Sequence, residues 1–155
     1  MRLITKETDY AIRAVLDLAR TPGTFVSSAD VSARQEIPLQ FLRRILQRLI
    51  KAGLVISREG AAGGTRLALD PRKVQVLDVM RVFQGEVELS ECMFRRRICA
   101  NRGTCVLRKR IKAIERMLER EFADISMADL LKDADRQSKR LARRRTAAAG
   151  KRGAR

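Results

Sequence analysis

The 155-residue chain has no histidine, only three cysteines and no Cys-x-x-Cys pair. Each absence removes a class of function. Without histidine there is no cysteine-histidine zinc finger and no imidazole base for a serine or cysteine nucleophile. No pair of carboxylates marks an evident cleft, so no catalytic constellation forms and an enzyme is not expected. No apolar run reaches the roughly eighteen residues of a membrane span, and the opening residues lack the apolar centre of a signal peptide. A cytoplasmic protein with no membrane partner is therefore expected, in keeping with reduced thiols.

Acid is also scarce. Against 18 Asp and Glu stand 34 Lys and Arg, a formal net charge of +16. Nine of the basic residues, and no acidic one, fall in 136–155, which leaves +7 on the rest. A body that is basic even without its tail fits a polyanionic partner, most simply double-stranded DNA.

Hydrophobic periodicity gives the order of elements. Ile12, Val15, Leu16 and Ala19 mark a helix from about Thr5 to Arg20, stopped by Thr21-Pro22-Gly23. Ser27 with Asp30 resembles a capping box, opening a short helix from about Ser28 to Arg34. After Ile37-Pro38 a longer helix runs to Ala52, with Leu42, Ile45, Leu46, Leu49 and Ile50 inward and Gly53 at its end. Its other face carries Gln40, Arg43, Arg44, Gln47 and Lys51. This is the layout of a helix-turn-helix, whose last helix enters the major groove, where Arg pairs with guanine and Gln with adenine. Two strands, Leu54–Ser57 and Arg66–Leu69, flank a glycine-rich tip and form a wing. The DNA-facing set is Ser28, Gln40, Arg43, Arg44, Gln47, Arg58, Gly63 and Gly64.

Beyond the wing, a helix spans about Leu77 to Phe83, closed by Gly85. Thr104 is expected to cap a long helix reaching about Phe122, with Leu107, Ile111, Ile114, Leu118 and Phe122 as a dimer-forming stripe. Ser126 opens a last short helix, and Arg136 to Arg155 reads as a disordered basic tail. The fold class is mainly α with a small β wing: a winged helix-turn-helix domain (1–85), a cysteine-bearing loop (86–106), a long dimerisation helix with a short C-terminal one (107–135) and the tail (136–155).

All three cysteines, Cys92, Cys99 and Cys105, lie within the loop, with Arg95, Arg96, Arg97 and Arg102 between them. Soft thiolates wrapped around one centre suit an iron-sulfur cluster better than zinc. A disulfide switch, zinc, or cysteines acting only as small hydrophobes are the alternatives. Three thiolates leave a fourth ligand to be found.

The opening Met1-Arg2-Leu3-Ile4-Thr5-Lys6, the segment Ile37 to Gly53 with Leu54-Val55, the wing Gly60-Ala61-Ala62-Gly63-Gly64, Asp78-Val79-Met80 to Gly85 and the three spaced cysteines resemble the Rrf-type family of bacterial winged-helix transcriptional regulators, with its IscR- and NsrR-like members. The resemblance covers about residues 1 to 132. It implies a homodimer on a near-palindromic operator, with a cluster sensing redox state, nitric oxide or iron-sulfur status. A thiol- or zinc-based, or cofactor-free, repressor is the alternative function. IscR-like members place a histidine where this chain has Leu107, the wing has Glu59 where an arginine is usual, and six residues separate the first two cysteines where five is usual. Thr8-Asp9 resembles the NsrR-like pair whose aspartate reaches the partner subunit's cluster. The resemblance thus implies Asp9, with Glu7 as alternative, as fourth ligand, and a 4Fe-4S cluster in preference to 2Fe-2S.

Overall fold

The computed structural model describes residues 3–60, 63–89 and 103–152. Helix α1, Lys6–Ala19, starts where Thr5 accepts a hydrogen bond from the Thr8 amide, and buries Ala11, Ala14, Val15 and Leu18. It is the central element, packed against α2, α3, α4, α6 and the wing. Helix α2, Ser28–Gln35, is capped by Ser27, and α3, Leu39–Lys51, buries Leu42, Ile45, Leu46 and Leu49 along one stripe. These apolar side chains, with Ile37 in the connecting turn, form one core.

The turn between α2 and α3 is pinned from two sides. Glu36 takes a left-handed conformation (φ 53°), and the Ser32 hydroxyl donates to the Ile37 carbonyl at 2.7 Å. From α1, the buried Asp17 accepts from Arg34 at 2.6 Å and from Gln35 at 3.0 Å, while Arg13 donates to the Gln35 carbonyl. The Asp17 carboxylate also raises the Arg34 pKa. A buried carboxylate this fully bonded sets an angle between helices more than it adds stability, because desolvation offsets much of the attraction.

Strand β1, Val55–Arg58, pairs antiparallel with β2, Gly64–Leu67, from Val55↔Leu67 to Arg58↔Gly64. The second strand begins two residues before its expected start because Thr65 also bridges Val26, with reciprocal backbone bonds of 2.9 and 2.8 Å. Gly64 (φ 146°) makes that bridge possible: a Cβ there would lie 2.4 Å from the Val26 carbonyl oxygen. Gly64→Val is expected to lower the free energy of unfolding by about 1–3 kcal/mol, read as a lower midpoint in a denaturant titration. An unchanged midpoint would show that the bridge is dispensable.

A 3-10 turn, Pro71–Lys73, leads to α4, Val76–Gln84, which ends at Gly85 (φ 75°). Helix α5, Val106–Asp124, is followed by α6, Met127–Arg152. The joint between them is tied to the start of α4: the Val76 amide donates to Ile125 and the Met127 amide to Val74, both at 2.9 Å. Ser126 caps α6 through the Asp129 amide at 3.1 Å, and its hydroxyl holds the Asp129 carboxyl below its ordinary pKa.

Expectations for α6 and for the cap of α5 are corrected here. The last helix is not short, and the basic segment from Arg136 is helical as far as Arg152. Ala, Arg, Lys, Gln and Leu are good helix formers and carry the helix on without any apolar stripe, while the Arg136–Asp133 pair (3.4 Å) supports only the start of the basic segment. The cap of α5 is Cys105 rather than Thr104. Along the α5 stripe, Leu118 and Phe122 pack on the core, while Leu107 and Ile114, with Val106 and Met117, are exposed.

Candidate nucleic-acid interface

Gln40, Arg43, Arg44, Gln47 and Lys51 are all exposed on the outer face of α3. The physical reason is the inner stripe, which consumes the opposite side of the helix. Among the described residues, Gln40, Arg43 and Gln47 make no side-chain hydrogen bond, so their donors and acceptors face outward. The Arg44 guanidinium sits 5.1 Å from the Phe41 ring centroid, and Phe41 meets Tyr10 edge to face at 5.6 Å. That stacking holds Arg44 extended along the surface. Beside it, Glu7, Phe41, Arg44, Gln47, Arg48 and Lys51 line an open groove of about 440 Å³. Ser28, the first residue of α2, is half-buried.

At the wing, Arg58 and Arg66 both lie over Phe25, at 4.3 and 5.1 Å from its centroid. The structure gives Gly63 and Gly64 reasons of their own. A Cβ on Gly63 would lie 2.4 Å from the Arg58 carbonyl oxygen, and Gly64 meets Val26 as above. Both glycines are demanded by the wing's own backbone, whatever it touches. Sequence reasoning missed Phe25 and Arg48. Their partners are 33 to 41 residues distant in the chain, so no local signal marks them.

Of the proposed ligands, Cys92 and Cys99 lie outside the described residues. Cys105 is half-buried at the start of α5, where its sulfur accepts from the Arg108 amide at 3.4 Å. Asp9 is 58% exposed and meets only Arg13, at 4.0 Å, among the described residues. Glu7 is engaged by Arg48 at 2.9 Å. The entry to the cysteine segment is anchored on α5, where the buried Glu115 accepts from the Leu89 amide at 2.9 Å and pairs with Lys112 at 2.7 Å.

A three-helix core that pins a basic helix outward, followed directly by a two-stranded wing, is a winged helix-turn-helix, and with its relatives below defines a DNA-binding transcriptional regulator rather than an enzyme. The family model for Rrf2, described as an iron-dependent transcriptional regulator, matches residues 4–133, and the chain belongs to this family. A putative HTH-type transcriptional regulator of Haemophilus influenzae is 31% identical over 140 residues, covering 88% of this chain and 93% of the relative. Among solved structures, IscR of T. potens superposes with a TM-score of 0.68 at 30% identity, over 84% of this chain and 87% of that one. CymR, the global cysteine regulator of B. subtilis, has a TM-score of 0.70 at 22% identity, over 84% and 96%, and shares the fold. No described helix is long and apolar enough to cross a membrane.

Proposed function

We propose that the chain works as a homodimer that reads a near-palindromic operator with two copies of α3 and adjusts that reading through an iron-sulfur cluster held by Cys92, Cys99, Cys105 and Asp9 of the second copy. The observation that carries the cluster is Cys105 itself: its sulfur sits at the positive end of α5, immediately after a segment that carries the other two cysteines. Exposed Val106 (71%), Leu107 (69%), Ile114 (44%) and Met117 (49%) give α5 an apolar face that a second copy would cover. Two copies about a two-fold axis require two related half-sites. Ser28, Gln40, Arg43, Arg44 and Gln47 face the major groove, and Arg58, with Gly63 and Gly64 at its side, brings the wing to the backbone.

Asp9 is favoured over Glu7 as the fourth ligand because Glu7 is already paired with Arg48. When bound, the cluster supplies a redox- and nitric-oxide-reactive centre. The protein's part is to set its ligands: three soft thiolates, and one hard carboxylate that leaves most readily. A 4Fe-4S form is preferred to 2Fe-2S.

The test is an absorption and Mössbauer comparison of full-length protein purified without oxygen, in wild type, Asp9→Ala and Glu7→Ala. Visible charge-transfer bands are expected in all three, with a distinct iron site lost and cluster decay accelerated only in Asp9→Ala. A colourless wild type would refute the cluster. Loss of the distinct site in Glu7→Ala alone would move the ligand two residues upstream.

A further inference from the structure

One side chain fastens the reading helix to the end of α4. Arg48 donates from one guanidinium nitrogen to Glu7 Oε1 at 2.9 Å and from another to the Val82 carbonyl, and its guanidinium carbon lies 4.4 Å from the Phe83 ring centroid. The neighbouring Gln84 is held by the start of α1. Its Oε1 accepts from the Thr8 hydroxyl at 2.8 Å and the Thr5 amide at 3.3 Å, and its amide nitrogen donates to the Leu3 carbonyl at 2.9 Å. Three successive residues, Val82, Phe83 and Gln84, are thus gripped from α1 and α3. At Gly85 the helix stops, and within a few residues the chain enters the stretch that carries Cys92 and Cys99.

The chemistry of this junction favours orientation over stability. Val82 belongs to the last turn of α4, whose carbonyls lack partners within the helix, and a cation there also meets the negative end of the helix dipole. The ion pair with Glu7 is partly exposed, at 41% and 36% for the two side chains, so water screens much of its strength. What the guanidinium adds is a rigid fork that fixes an acceptor on α1, an acceptor on α4 and a ring on α4 at once. A lysine, with one point charge on a flexible stem, cannot hold all three.

We propose that Arg48 is a positioning residue for DNA reading, coupling the orientation of α3 to the last turn of α4 and so to the entrance of the cysteine segment. This rests on α3 being the reading helix. Coupling between two sites is reciprocal. A shift at the end of α4 re-aims α3, and duplex bound to α3 steadies the end of α4.

Reciprocity supplies a test that needs no cluster. A duplex is selected from a random pool by the full-length wild-type protein. Amide hydrogen exchange at Val82–Gly85 is then measured with and without that duplex, at saturation for wild type, Arg48→Lys and Arg48→Met. Bound duplex is expected to slow exchange in wild type by roughly fivefold or more, the lower end of ordinary coupling, and to leave it unchanged in both variants. Arg48→Lys keeps the charge, so it guards against a folding defect in Arg48→Met, and a merely structural role would alter the free protein rather than the duplex-dependent difference. Absence of slowing in wild type, or slowing that persists in both variants, overturns the coupling. A pool that never enriches overturns DNA reading by α3 and the coupling with it; enrichment with slowing that survives in the variants overturns the coupling alone.

Discussion

Arg43→Ala and Arg44→Ala introduced together are expected to cut affinity for the selected operator by on the order of a hundredfold or more, since each bidentate base contact contributes about 1–3 kcal/mol. Random duplex should be affected far less. Both side chains are exposed and outside the core, so helical content and the unfolding midpoint should stay near wild type. The two single variants are expected to differ. Arg43 faces outward with no side-chain hydrogen bond among the described residues, whereas Arg44 is held over Phe41, and its loss also frees that ring. Fluorescence anisotropy against operator and scrambled duplex separates the effects. Equal loss on both duplexes would make these arginines phosphate contacts; no loss on either would mean that this face of α3 does not read DNA.

The second large effect is expected from removing 136–155. The segment carries nine basic residues and no acid. Each phosphate neutralised adds about 0.9 to the log-log salt slope, so the slope should fall by up to about 8. Affinity for operator and random duplex should drop together near physiological salt, and their ratio should survive. The cut leaves Met127, Leu130 and Leu131 in place on the core, so the rest of the fold should hold. A ratio that collapsed while nonspecific affinity persisted would make α6 an element of specificity. Its helical form matters to this outcome. At about 1.5 Å rise per residue the backbone of 136–152 is a rod, and a rod engages DNA backbone over a fixed length where a random chain would spread its contacts.

What the sequence disclosed and what it withheld follow from the range of the interactions. Helices α1, α3 and α4 were legible because Val15, Leu42, Ile45 and Met80 recur at the period of a buried stripe, and Gly53 and Gly85 end two of them at positive φ. The wing was legible as a hairpin, yet its second strand was misplaced, because Val26 decides where β2 begins and stands 39 residues away. The extent of α6 escaped for the opposite reason: helix propensity sustains it, and propensity leaves no apolar period. On the outer face of α3 the residue types were enough to place the side chains, since Arg and Gln opposite a buried stripe point outward. Arg48 was invisible for want of any local mark. It shares that face's spacing, and only folding brings Glu7, Val82 and Phe83 within its reach.

The contact between Val26 and Thr65 also bears on how such a gene can change. Residues before the reading unit and residues inside the wing form one small sheet, so the two stretches cannot drift independently. A lesion at Gly64 should be relieved by second-site changes that move the Phe25–Ser27 backbone away, more readily than by changes among the wing's immediate neighbours. Insertions should follow the same map: tolerated in the exposed Thr21–Thr24 loop, rejected between Phe25 and Ser27. In heredity, the wing begins at Phe25.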